Sequence, residues 1–141
     1  MKQKVLLSIR GTQTYMDQEP DVIELVTEGT LASKNGTWLL QYEETELTGL
    51  QGVTTTFLIR PGEITLKRTG RLNSQMVFKE GIPHDSLYQM EFGALMMTVC
   101  ATRMHWDLSE TGGTVGLNYT IEIEKTAAGQ IDYHLDIPPI E

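Results

Sequence analysis

Residues 53–81 read VTTTFLIRPGEITLKRTGRLNSQMVFKEG, and the alternation inside this stretch decides the fold. Val53, Thr55, Phe57 and Ile59 fall on one side of an extended chain, as residues two apart must. Beyond the Pro61-Gly62 turn, Ile64, Leu66, Arg68 and Gly70 share a face, with Glu63, Thr65, Lys67 and Thr69 opposite. After a corner at Gly70, Met76 and Phe78 continue the apolar side against Gln75, Val77 and Lys79. Short strands joined by tight turns make an antiparallel meander with one dry face and one wet face.

The same period of two runs outward in both directions. Val5, Leu7 and Ile9 alternate with Leu6, Ser8 and Arg10, in a strand that runs on toward Tyr15 until MDQEP, with Pro20, interrupts it. Asp21–Lys34 follows, with Ile23, Leu25, Thr27 and Leu31 together. Helical spacing also fits Val22, Ile23, Leu25 and Val26. The β-branched content and the Asn35-Gly36 dipeptide, suited to a type I′ hairpin turn, favour a strand. Its partner is Thr37–Leu47, with Trp38, Leu40 and Tyr42 on one face.

On the other side of the meander, Ile82–Ala94 fits either a helix capped at Asp85 or Ser86, or a strand carrying Tyr88, Met90 and Phe92 on one face. Gly93 weakens the helix, so a strand with a bend or bulge at that glycine is expected. Leu95–Leu108 comes next, with Leu95, Met97, Val99 and Ala101 on one face and Arg103 following them. Thr114–Lys125 and Gln130–Ile137 complete the series, their apolar faces carried by residues such as Leu117, Tyr119 and Ile121, and Tyr133 and Leu135. Roughly eight to ten strands with glycine turns imply an all-β fold. Short connections favour an antiparallel meander barrel, closed or nearly so, with neighbours pairing in sequence order and little helix. The expectation is one β-barrel domain over residues 1–141, burying among others Leu40, Phe57, Phe78, Phe92, Leu117 and Leu135.

A formal charge of −8 argues against nucleic acid or an anionic membrane as partner, since both need an excess of Lys and Arg. Cys100 is the sole cysteine, so no intramolecular disulfide forms and nothing calls for an oxidising compartment. The apolar run after MKQK is too short for a signal peptide or a spanning helix. A cytoplasmic protein is expected.

Tyr42-Glu43 at the end of one strand, the Val/Thr-rich strand after a glycine turn, Arg68 with Gly70, and Phe78 with Gly81 follow one another along the chain. They are followed by Tyr88 with Phe92-Gly93 and a strand rich in Met, Leu and Thr. In this order the chain resembles the uncharacterised bacterial YwiB-like proteins over nearly its whole length. That resemblance implies a lipocalin-like, calycin-type antiparallel barrel and transfers no catalytic residue. By analogy of fold alone it suggests ligand binding.

His84, His105 and His134 are isolated, and none has a second ligand at a spacing that fixes a metal, so no metal or cofactor is expected. Cys100 reads as a small buried side chain rather than a nucleophile. The sharper signal is charge on apolar faces. Arg68 follows Ile64 and Leu66, and Arg103 follows Val99 and Ala101. An arginine directed into a barrel must be paired or hydrated. Glu43, Glu44 and Glu91 are the nearest carboxylates by topology, and Tyr42 and Tyr88 offer hydroxyls. The plain alternative is that both arginines sit at strand ends, capping the core while reaching water.

The ligand-binding candidates are therefore Arg68, Tyr42, Glu43, Tyr88 and Arg103, for a small amphipathic or anionic ligand whose carboxylate or phosphate suits a guanidinium. Met90, Met96, Met97 and Met104 fit either a packed core or an adaptable cavity. The first functional expectation is thus a binding module with an apolar cavity and an arginine anchor. The alternative is a structural or interaction barrel with a filled core, for which a homodimer is one form. An enzyme ranks third, because no activated nucleophile or acid–base pair is in view.

Overall fold

The computed structural model describes residues 2–15, 18–46, 50–90 and 93–138, and only the backbone of residues 88–90. Its regular elements are strands: β1 (Lys2–Tyr15), β2 (Asp21–Lys34), β3 (Thr37–Glu43), β4 (Val53–Arg60), β5 (Glu63–Gly70), β6 (Ser74–Phe78), β7 (His84–Met90), β8 (Gly93–Ser109), β9 (Gly112–Ile123) and β10 (Thr126–Ile137). They form one sheet of ten antiparallel strands in the order β6-β5-β4-β3-β2-β1-β10-β9-β8-β7. The sheet curls until its two ends, β6 and β7, lie against each other.

Alternation in sequence becomes alternation in burial. Along β4, Val53, Thr55, Phe57 and Ile59 are buried, and each residue between them is half-buried. Asn35 and Gly36 take φ of 53° and 81°, as the hairpin between β2 and β3 requires. Leu7, Leu40, Phe57, Phe78, Leu117 and Leu135 are fully or almost fully buried and fill one end of the barrel. The Phe78 and Tyr119 rings lie 4.5 Å apart, and Phe57 meets Tyr133 edge-on at 6.3 Å.

β1 pairs with β10, and strands consecutive in sequence pair with each other except β6 and β7. These close through a seam rather than a continuous ladder. The Ser86 hydroxyl donates to the Gln75 carbonyl at 2.7 Å, and the Val77 amide donates to His84 Nδ1 at 3.4 Å. A single bridge, Lys79 with Ile82, ties the connection between the two strands.

Two readings of the sequence need correction here. Residues 84–90 and 93–94 are extended, not helical, but they belong to two strands rather than one bent strand: β7 pairs antiparallel with β8, with Met90 opposite Gly93. Gly93 has φ of 144°, so the glycine serves a reversal rather than a bulge. The irregularity lies further on, where the β8–β9 register shifts between Ala101 and Arg103. One extra residue moves every later side chain to the other face. Met97, Val99 and Ala101 point inward before the shift, and Met104, Trp106 and Leu108 pack against the core after it. Arg103 is consequently exposed on the outer surface. The expected burial of Phe92 lies outside the described residues.

The β8–β9 turn supplies a test of backbone shape. Gly113 has φ of 145°, and a Cβ built there would sit 1.9 Å from the Asp107 carbonyl oxygen. Gly113→Ala should therefore destabilise the fold by about 1–3 kcal/mol, measured by urea unfolding. A stability equal to wild type would mean that the hairpin tolerates another turn geometry.

Candidate functional site

The inner surface carries one polar row. In the cross-strand register Gly29 opposes Tyr42, Tyr42 opposes Thr55, Thr55 opposes Arg68, and Arg68 opposes Ser74. The next row toward the filled end is Leu31, Leu40, Phe57, Leu66 and Met76, all apolar. Glu44, just past β3, shares the inward parity of Leu40 and Tyr42, and its amide donates to the Val53 carbonyl at 2.9 Å. From the far wall Tyr119 and Tyr133 face this row.

Of these residues Tyr42, Glu44, Arg68, Met76, Tyr119 and Tyr133 form the floor of a cavity of about 350 Å³ that occupies the other end of the barrel. Its walls are mostly apolar, with Ile9, Leu25, Met97, Ile121 and Ile131 below and Tyr15, Leu95 and Ile123 toward the mouth. The barrel is therefore filled at one end and hollow at the other.

Arg68 is 8% exposed. One terminal nitrogen, Nη2, donates to the Tyr133 hydroxyl at 2.9 Å, while its Nε is buried with no hydrogen-bond partner. The Ser74 hydroxyl, opposite it in the row, is buried in the same condition. Burial opposes the guanidinium charge, but Tyr133, Tyr119, Tyr42 and the Glu44 carboxylate together outweigh it and hold the Arg68 pKa above its usual value. Glu44 is 7% exposed and accepts from the Thr55 hydroxyl at 2.5 Å. It also hydrogen-bonds Tyr42, whose pKa is pushed up first by burial and then by the Glu44 charge. Tyr42 thus stays a neutral phenol. Arg68 and Glu44 are the formally charged side chains that line the cavity among the described residues.

Of the residues singled out in the sequence, Arg68 and Tyr42 stand on this floor. Glu43 does not: it is exposed and accepts from the Thr54 hydroxyl at 2.9 Å on the outer face. Strand parity already placed it there, because Tyr42 and Glu44 share one face and Glu43 takes the other. Arg103 is removed by the register shift. The side chain of Tyr88 lies outside the described residues. The expected arginine partner exists, but it is Tyr133, which the sequence marked only as core. Met76 and Met97 line the cavity, while Met104 packs at the filled end.

The histidines are scattered. His84 is in the seam, His105 is exposed, and His134 is exposed with Nε2 3.2 Å from Asp136. No group of His, Cys, Asp and Glu among the described residues could hold a metal ion.

A ten-stranded antiparallel barrel with a filled end and a polar-floored cavity is the class of protein that fold and site define. The chain belongs to the family described as a domain of unknown function, DUF1934, whose model matches residues 7–137. It is 27% identical over 125 residues to the uncharacterized beta-barrel protein YwiB of Bacillus subtilis (strain 168), covering 87% of this chain and 86% of that protein. The crystal structure of the ywiB protein from Bacillus subtilis superposes with a TM-score of 0.81 at 22% identity, covering 96% of this chain and 92% of that one. The fold is shared, and YwiB brings no activity with it.

Proposed function

We propose that the barrel binds a small amphipathic molecule, its polar head against Arg68 and its apolar body along the cavity wall. The observation that carries this is a nearly buried guanidinium, Arg68, lining the floor of a mostly apolar cavity of about 350 Å³. That volume falls within the roughly 300–1,000 Å³ range of small-molecule sites. A charge in such a place is costly unless it is paired. On this reading the protein works as lipocalin-type barrels do, as a carrier or sensor rather than an enzyme. We place it in the cytoplasm, a reading supported by the lone Cys100 thiol. No helix among the described residues is long and apolar enough to cross a membrane.

Native mass spectrometry of the purified protein tests the proposal. A retained small molecule is expected in the wild type. It should be lost from the double variant Arg68→Leu/Glu44→Gln, which removes both buried charges together and so spares the fold. Retention of the same molecule by a folded double variant would overturn the role given to Arg68.

A second reading, a barrel that acts through its surface, is favoured by Leu6 and Val26. They are 52% and 63% exposed on the outer face and diagonal to each other across β1 and β2, Leu6 opposing Glu28 and Val26 opposing Ser8. Light scattering of wild type against Leu6→Ser/Val26→Ser tests it. Self-association lost in the variant supports it, and a monomer in both cases removes the homodimer form.

A further inference from the structure

We propose that the cavity takes up a monocarboxylate together with one proton from solvent, and that it rejects ligands with a phosphate head. The inference rests on the ligand-binding reading above and names the chemistry of that ligand. It starts from a charge count. Among the described residues the cavity is lined by one cation, Arg68, and one carboxylate, Glu44, which already balance. Among the described residues the other groups near them are uncharged near neutrality: Gln13 and Tyr15 on β1, Tyr42 on β3, Thr55 on β4, Ser74 and Met76 on β6, Tyr119 on β9 and Tyr133 on β10.

The guanidinium on the floor selects the head group. Arg68 spends Nη2 on Tyr133 and its Nε is sealed off without a partner, but the side chain still lines the cavity. A carboxylate fits the edge of a guanidinium fork. Yet a second carboxylate in this enclosed space would leave a net negative charge beside Arg68 and Glu44, whose charges already balance. Two carboxylates around one cation hold a proton between them rather than both ionising. The acid therefore enters with a proton, taken from solvent, which ends on the pair formed by the ligand and Glu44. A phosphate dianion would leave a larger imbalance, and no lysine or further arginine lines the described cavity to meet it.

The size is set independently. At ~30 Å³ for each water-sized group, the cavity has room for roughly a dozen non-hydrogen atoms. Decanoic acid has that bulk.

Calorimetric titration of the full chain with decanoic acid, decanol and decyl phosphate, in two buffers of different ionisation enthalpy, decides the matter. The expected result is one proton taken up per acid bound. The affinity for the acid should fall about tenfold per pH unit above neutrality, and decyl phosphate should bind at least about tenfold more weakly than the acid. Glu44→Gln keeps a hydrogen-bonding head but no charge, so it should bind the acid without proton uptake. Acid binding by the wild type with no proton exchange would overturn the inference, as would equal affinity for decanol or decyl phosphate. Either outcome would leave a binding site standing. Failure of all three compounds to bind would remove both the inference and the reading on which it rests. Should Glu44→Gln not fold, the proton count of the wild type decides alone.

Discussion

Truncating Phe78 to alanine should cost ~3–5 kcal/mol of folding stability, the range for an aromatic side chain removed from a closed core. Phe78 has no exposure at all, pairs across the strands with Ile64, and holds its ring 4.5 Å from that of Tyr119. Its position makes collapse of the hole difficult, because it ends the short strand β6, where the barrel closes through the seam rather than a ladder. Urea unfolding of Phe78→Ala gives the number. Leu87→Ala is the control: that side chain is 50% exposed, and its loss should stay within about ±0.5 kcal/mol. A cost below about 1 kcal/mol for Phe78→Ala would mean that the filled end is loosely packed.

The second large effect is expected at the floor of the cavity. Glu44→Ala should cost about 3–5 kcal/mol, because it leaves the buried Arg68 charge without its carboxylate. Arg68→Leu should be costly for the mirror reason. Removing both charges, in Arg68→Leu/Glu44→Gln, should recover most of the loss, since a buried ion pair is seldom much better than apolar groups of like volume. A double-mutant cycle by urea unfolding measures this directly. Strictly additive losses would show that the two charges do not sense each other, and the charge count behind proton-linked binding would go with them.

How far the sequence carried can be judged at particular residues. Alternation placed the strands because burial on one face and water on the other leave a mark every second residue. The Val53–Phe78 meander needed nothing else. It also placed Arg68 inward, since Ile64 and Leu66 fix the face. Arg103 failed because parity is only as good as the register. A single extra residue near Thr102 leaves no composition signal, yet it turns the rest of β8 over. The choice of Glu43 over Glu44 was a different error, because parity from Leu40 and Tyr42 already pointed to Glu44. Tyr133 could not be assigned to Arg68 from sequence. Its face was legible, but which strands confront each other across the lumen depends on how the sheet curls, and neighbour pairing does not contain that. The hollow end was illegible for the same reason, since Met97 and Ile121 look alike whether they line a void or fill it.

The order of strands sets when this barrel can close during synthesis. β1 lies between β2 and β10, so one of its two flanks is satisfied only by the strand that comes last in the sequence, with Ser8 opposite Asp136 and Tyr15 opposite Gly129. Strands β1 to β6 can pair as soon as they emerge. The partial sheet they make has unequal edges: β6 offers 5 residues, β1 offers 14. A long bare edge is a template for another chain, and distant partners are slow to find. A chain stalled between β6 and β10 therefore presents its most adhesive surface at β1. Aggregation during expression should begin with β1 of one nascent chain adding to β1 of the next, and supplying β10 as a separate peptide should suppress it.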